Sequence, residues 1–275
     1  MTYKNLLVHL DDGERANARL DIAINLAKDY GAKLVGLFAK SEQSGPSLVA
    51  RRASEHLTQA GEAVRAVFEE KTRAAGVQAK WWQLSHGEYA HVVGETAICS
   101  RYSDLVVLGQ HEPEDARVPQ ELIEEVVLNS GRPVLVIPYI RTSPHVGERV
   151  VVAWNASREA ARAINDALPL MRRAKSVLVL ALHPPRPEID IGGVPPVDII
   201  EHLADHGVTA QLDRMSVESI LPMDAVLSRV SDEAADLLVM GGFGGYGSHP
   251  FPWLNRGSNT RHILRQMTVP VLLSH

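Results

Sequence analysis

The sequence predicts two tandem α/β domains, each a doubly wound, mostly parallel sheet of five strands. Three observations carry this. The 275 residues contain one pattern twice, strands alternate with helices within each copy, and several strands are apolar at consecutive positions. Unbroken apolar strands mark a parallel sheet covered on both faces. The copies align at three places. Asn5-Leu6-Leu7-Val8-His9-Leu10-Asp11 matches Arg149-Val150-Val151-Val152-Ala153-Trp154-Asn155. Ser103-Asp104-Leu105-Val106-Val107-Leu108-Gly109 matches Ala235-Asp236-Leu237-Leu238-Val239-Met240-Gly241, and Arg132-Pro133-Val134-Leu135-Val136-Ile137 matches Val269-Pro270-Val271-Leu272-Leu273. The predicted domains are 1–140 and 148–275. Pro138 to Glu148, with two prolines and Gly147, reads as the linker.

In the first domain the β-rich run Asn5–Leu10 leads into a helix over Glu14–Tyr30 and a strand over Lys33–Phe38. A long helix, Ser47–Ala75, carries Leu57, Ala60, Val64, Val67 and Phe68 at three- and four-residue steps, the apolar stripe of a packed helix. Gly76 is placed to cap its end. A strand over Gln78–Leu84 sends the indoles of Trp81 and Trp82 to opposite faces, so at least one is core. Then come a helix over Tyr89–Arg101, a strand over Asp104–Leu108, a helix over Gln120–Asn129 and a strand over Val134–Ile137. The second domain repeats this from Val150 to Ser274. Its second helix is shorter, about Val197–His206, after a Pro- and Gly-rich loop, His183–Pro196.

Hydrophobic residues make up 45% and charged residues 22% of the chain, enough for sizeable globular cores. The net charge of −5 argues against a broad nucleic-acid footprint, which needs clustered Lys and Arg. Arg172, Arg173 and Lys175 read as a solvated helix end. No apolar run approaches the ~18–20 residues that span a bilayer, and Met1-Thr2-Tyr3-Lys4 runs straight into a strand without a signal pattern. The single cysteine, Cys99, excludes an internal disulfide and reads as a buried, inert thiol. The expectation is a cytoplasmic protein without a membrane partner.

Ligands of open α/β sheets sit beyond the carboxyl ends of the strands where strand order reverses; if the order is 3-2-1-4-5, that is between the first and fourth strands. In the second domain those strands end in Trp154-Asn155-Ala156-Ser157 and in Met240-Gly241-Gly242-Phe243-Gly244-Gly245-Tyr246-Gly247. The last helix, Ser258–Met267, opens on Gly257-Ser258-Asn259-Thr260. Glycines admit close backbone approach, a helix amino end favours an anion, and Ser258 and Thr260 add hydroxyl donors. The same cluster also reads as a flexible turn, with Ser258 or Asn259 merely capping a helix. The first domain is an internal control. Gly109 is followed by Gln110-His111-Glu112-Pro113-Glu114-Asp115, and its last helix opens near Pro119-Gln120-Glu121. Carboxylates repel polyphosphate and proline removes an amide donor, so a nucleotide is not expected there.

On these motifs the chain resembles the universal stress protein family in its tandem two-domain form, over nearly its whole length. The resemblance rests on Asp-Leu-Leu-Val-Met-Gly at 236–241, Pro-Val-Leu-Leu at 270–273, the polar residue after each first strand, and the glycine spacing. Nucleotide-binding members carry Gly, two residues, Gly, nine residues, then Gly-Ser or Gly-Thr. Gly244, Gly247 and Gly257-Ser258 fit as written; anchored on the strand end, the first two glycines become Gly241 and Gly244, with three extra residues falling within Ser248–Trp253. The resemblance implies an adenine nucleotide alpha hydrolase-like fold, with strand order 3-2-1-4-5 in each domain, binding ATP or a related nucleotide, with Mg2+ as a companion. Adenine would lie near Ala153, Trp154, Asn155 and Met240, and phosphates on Gly241, Gly244, Gly247, Gly257, Ser258, Asn259 and Thr260. Asn155 stands where members commonly carry Asp; it keeps an acceptor and adds donors.

The expectation is a signalling module with little or no hydrolysis, because the loop carries no lysine. Its halves pair through Val134–Ile137 and Val271–Ser274, and homodimerisation is open, with Phe251 and Trp253 as a contact or a plug. The alternatives are an interaction protein with a plugged pocket, and a hydrolase of adenylated substrates. Two histidine-bearing segments read as structural: His202 and His206 lack a third ligand, and Ser85-His86-Gly87-Glu88 reads as a turn.

Overall fold

β1 (Asn5–Leu10) is buried at every position after Asn5, and Leu6, Leu7 and Val8 have no exposed surface at all. Consecutive burial requires cover on both faces, as the unbroken apolar run predicts. The computed structural model describes residues 2–42, 54–113, 118–140, 143–183, 198–216, 221–244 and 257–275. The chain divides into two compact units, the first reaching Val146 and the second starting at Gly147.

In the first unit β1 is followed by α1 (Ala16–Tyr30), β2 (Lys33–Phe38), α2 (Glu55–Ala75), β3 (Ala79–Gln83), α3 (Tyr89–Ser100), β4 (Leu105–Gly109), α4 (Leu122–Asn129) and β5 (Val134–Ile137). The strand order is β3-β2-β1-β4-β5, and every neighbouring pair is parallel. The second unit has β6 (Arg149–Trp154), α5 (Arg158–Met171), β7 (Ser176–His183), α6 (Ile199–Asp205), β8 (Gln211–Ser216), α7 (Pro222–Asp232), β9 (Leu237–Gly241), α8 (Ser258–Gln266) and β10 (Val271–Ser274). Its order, β8-β7-β6-β9-β10, is the same arrangement. β6 lies between β7 and β9, parallel to both, so the order reverses at β6 as it does at β1.

The repeated Asp-Leu motif has a structural cause. Asp104, just before β4, accepts hydrogen bonds from the amides of Lys4 and Asn5 at 2.8 and 2.9 Å. Asp236, just before β9, accepts from Gly147, Glu148 and Arg149 at 3.2, 3.0 and 2.8 Å. In both units one carboxylate thus ties the start of the fourth strand to the start of the first. A charged acceptor makes each such bond stronger than a neutral one.

Ser54 accepts from the Leu57 amide at 3.1 Å and starts α2 at Glu55, later than the periodicity predicts; residues 47–53 of the expected helix lie outside the described residues. α6 falls inside the expected span, capped by Asp198, while the loop 184–196 before it lies outside the described residues. Trp81 packs on Phe68 and Phe38, with ring centroids 5.4 and 6.5 Å away, and so joins the core beneath α2. Trp82 lines a cavity of about 400 Å³ with Lys33, Lys80, Ile98, Cys99 and Tyr102. Cys99 is half-buried, where full burial was expected, and burial pushes its thiol pKa up, which suppresses the thiolate. No helix among the described residues is long and apolar enough to cross a membrane.

Candidate functional site

The crevice of the second unit is built from four segments. β6 delivers Ala153 and Trp154, both half-buried, and pairs Ala153 with the buried Met240 of β9. Asn155 then makes the turn into α5: its Oδ1 accepts from the Ser157 amide at 3.1 Å, Ala156 takes φ 55°, and Ser157 Oγ caps the helix by accepting from Ala160 at 3.2 Å. The side-chain carbonyl of Asn155 is therefore used in the turn, and its exposed Nδ2 donors are what remain for a ligand.

Gly241 ends β9 against the first turn of α5. A Cβ there would lie 2.7 Å from the Ala160 amide nitrogen and 2.8 Å from Glu159 Cβ, so this glycine is required by the close approach of helix and strand. Gly244 lies beside the Glu159 carboxylate, which a Cβ would meet at 3.0 Å. Phe243, at φ 54° and 1% exposed, turns inward; its amide donates to Thr260 Oγ1 at 2.8 Å. Thr260 is accordingly buried, its hydroxyl an acceptor for the backbone.

Gly257 sits at φ 79° as the N-cap of α8, and a Cβ would meet the Phe243 ring at 2.5 Å. Both the left-handed conformation and the ring beneath it demand glycine. Ser258 and Asn259 are exposed on the first turn. Among the described residues no side chain caps α8, and no acidic residue stands in its first turn, so its amino end keeps its positive potential. Gly247, Phe251 and Trp253 lie outside the described residues.

Sequence reasoning missed Glu159. It is 4% exposed in the first turn of α5, its Oε1 accepts from Arg158 Nε at 2.6 Å, and its Oε2 is buried and accepts no hydrogen bond among the described residues. Burial favours the neutral acid, but the Arg158 guanidinium and the helix amide outweigh it and hold the pKa below the usual range. A carboxylate ionised at neutral pH thus adjoins the glycine turn. The signal was an acid two residues after a capping serine, a pattern that by itself reports only a helix start.

Solved structures resemble the chain over nearly its whole length. A universal stress protein from Archaeoglobus fulgidus DSM 4304 superposes with a TM-score of 0.71 at 18% identity, covering 98% of this chain and 95% of that one. The chain has the universal stress protein fold, in tandem form. A candidate universal stress protein from Pseudomonas aeruginosa UCBPP-PA14 gives 0.62 at 15% identity, over 99% and 93% of the two chains. A functionally unknown protein from Pseudomonas aeruginosa PAO1 gives 0.61 at 14%, over 99% and 92%. No protein-family model matches the sequence, and no curated protein does.

The first copy of this universal stress fold has a different crevice. Asp11 makes the same turn as Asn155, accepting from the Gly13 amide at 2.7 Å. Arg19, 5% exposed, then crosses the gap between β1 and β4: Nε donates to the His9 carbonyl at 2.7 Å and Nη2 to Asp11 Oδ2 at 2.5 Å. Its guanidinium lies so close to Gly109 that a Cβ there would collide with it. Burial opposes ionisation of Asp11, yet the Arg19 guanidinium and the Gly13 amide hold its pKa down at about 2. His9, fully buried, is pushed down to about 4 by desolvation, with the Arg19 charge adding to it. An internal ion pair occupies the place where the second copy presents Ala163.

Proposed function

We propose that the second unit binds an adenine nucleotide, ATP or a relative, between β6 and β9, and that the chain is a binding and signalling module. The observation that carries this is the amino end of α8: uncapped, free of acid and headed by Gly257 at positive φ. Its counterpart α4 follows the N-cap residue Glu121 and carries Glu124 and Glu125 in its first turn, and offers an anion nothing comparable. Adenine would lie against Ala153, Trp154 and Met240, and phosphates on the amides and side chains of Ser258 and Asn259. Glu159 repels a bare polyphosphate, which gives Mg2+ its place as counter-charge. Hydrolysis is slow or absent, because residues 240–260 hold no lysine to stabilise the transferring phosphoryl group. The setting is a cytoplasmic stress response, with self-association into a homodimer and no nucleic acid or membrane partner.

Calorimetry on the intact protein tests this. Gly257 is a poor place for a disruptive variant, since any side chain there strains the backbone and strikes Phe243. Ser258→Asp with Asn259→Asp instead places two acids at exposed positions where they support α8. Wild type is expected to bind one Mg-ATP per chain and the double variant none. Glu159→Gln is expected to raise the affinity for metal-free ATP about tenfold, roughly 1.4 kcal/mol. A second reading, an interaction protein with a filled pocket, draws on the buried Phe243 ring and the Glu159 carboxylate. No ATP heat from either wild type or Glu159→Gln would establish it over the first. Rapid metal-dependent turnover would point instead to a hydrolase of adenylated substrates.

A further inference from the structure

The segment read from the sequence as a turn, Ser85-His86-Gly87-Glu88, meets the first turns of α3. His86 Nδ1 lies 2.8 Å from Glu95 Oε1, and His91 Nδ1 lies 3.4 Å from the same oxygen. The two imidazoles stack with centroids 4.7 Å apart. One ligand atom from each of His86, His91 and Glu95 falls within 4.8 Å of the others. We propose that these three side chains form a site for a divalent transition cation of the zinc class, at the end of the first unit's sheet where its strands finish.

Four features support the assignment. First, two imidazoles and one carboxylate are donors of borderline softness; they suit zinc and its neighbours and not magnesium or calcium, which take oxygen. Donors about 2.0–2.1 Å from a tetrahedral ion stand roughly 3.3–3.5 Å apart, so side-chain rotation must open the tightest pair by about half an ångström and draw the widest, within 4.8 Å, closer by up to about 1.5 Å. Second, Glu88 is 5% exposed, and its Oε2 is buried without a hydrogen bond, 3.1 Å from His91 Nε2. It is the N-cap residue of α3, yet its carboxylate caps nothing. A bound ion explains it. When His91 ligates through Nδ1, Nε2 carries the proton and turns it to Glu88, which fixes the tautomer and makes the ring a better ligand. The same carboxylate offsets the positive end of α3, which would otherwise oppose a cation.

Third, the loop is held in place before any ion arrives. The Gly87 carbonyl accepts from the Glu42 amide at 2.9 Å and from Ser41 Oγ at 3.2 Å, anchoring His86 to the residues after β2. Fourth, His86, His91 and Glu95 are about one-third exposed, which leaves an open face where a water completes four-coordination.

The test uses the full chain without an affinity tag, stripped with chelator and titrated with zinc by calorimetry. One zinc per chain is expected, with affinity reduced at least a hundredfold in His86→Ala, His91→Ala and Glu95→Gln. Glu88→Gln, which keeps the shape but weakens the acceptor, is expected to lose roughly 10–100-fold. His202→Ala serves as control: on α6 its ring lies 4.7 Å from that of the C-cap residue His206, and binding should not change. Cobalt substituted for zinc should show the intense visible bands of a tetrahedral site, lost in His91→Ala. Circular dichroism and thermal melting verify that each variant is folded. Absence of zinc uptake by wild type overturns the proposal. So does undiminished uptake by a folded His86→Ala, His91→Ala double variant, or loss of uptake in His202→Ala.

Discussion

His9 illustrates how a single position in a β-strand acquires chemistry from burial. It stands in an apolar run, its Nε2 donates to the Ala39 carbonyl at 2.7 Å, and it is 1% exposed. Its folded pKa near 4 lies below the unfolded value of about 6.5. Between those values the unfolded chain takes up a proton that the folded one refuses, so stability falls as pH drops from 6.5 and levels off below 4. The full window is worth about 3 kcal/mol at 1.36 kcal/mol per unit. Urea titrations at pH 7 and pH 4 should show wild type losing about that much more than His9→Gln, which keeps a donor but does not titrate. Parallel losses would mean the folded protein protonates His9. Asp11 acts lower on the scale: its stabilisation is present above about pH 4 and lost as pH falls through about 2. That His9 is buried was legible in its apolar neighbours; that Arg19 sits above it was not, because ten residues of turn and helix separate the two.

At the scale of elements, the glycines of the second unit divide by what they touch. The sequence presents five within Gly241–Gly247 as one phosphate-like cluster. The fold gives Gly241 to the contact between β9 and α5, and Gly257 to the left-handed start of α8 over Phe243. Gly241→Ala should therefore destabilise the protein by about 1–3 kcal/mol, since the Cβ meets backbone that cannot rotate away. The measurement is a urea midpoint in the absence of nucleotide. An unchanged midpoint would show that α5 shifts freely and that the glycine serves only a ligand. Periodicity located α2 although its apolar stripe is core only in part: Leu57 and Phe68 are buried, Ala60 and Val64 half-buried, and Val67 is exposed, while Gly61 and Thr72 complete the buried face. It located the helix start poorly, since a start depends on which side chain caps, as with Ser54.

Across the whole molecule, duplication is recorded in two carboxylates as much as in the apolar runs. Asp104 and Asp236 make the same tie from fourth strand to first, and Asp11 and Asn155 make the same turn. Asp104→Ala and Asp236→Ala should each cost about 1–3 kcal/mol by urea denaturation, and by similar amounts, because each frees backbone amides from a charged acceptor. A cost confined to one of them would mean that the copies have come to start their first strands differently. The strand order came with the family resemblance, whereas the repeat, the parallel sheets and the second copy as the one with a glycine turn were legible in the residues alone. Those properties follow from periodicity and turn chemistry, which act over a few residues and leave a visible pattern. What stands at the mouth of each sheet came from packing between distant segments. Arg19 crosses one crevice, the Glu159 carboxylate borders the other, and His86 meets His91 and Glu95. A side chain reaches several ångströms from its backbone, and which neighbours it finds is set by packing between segments whose spacing the sequence does not display.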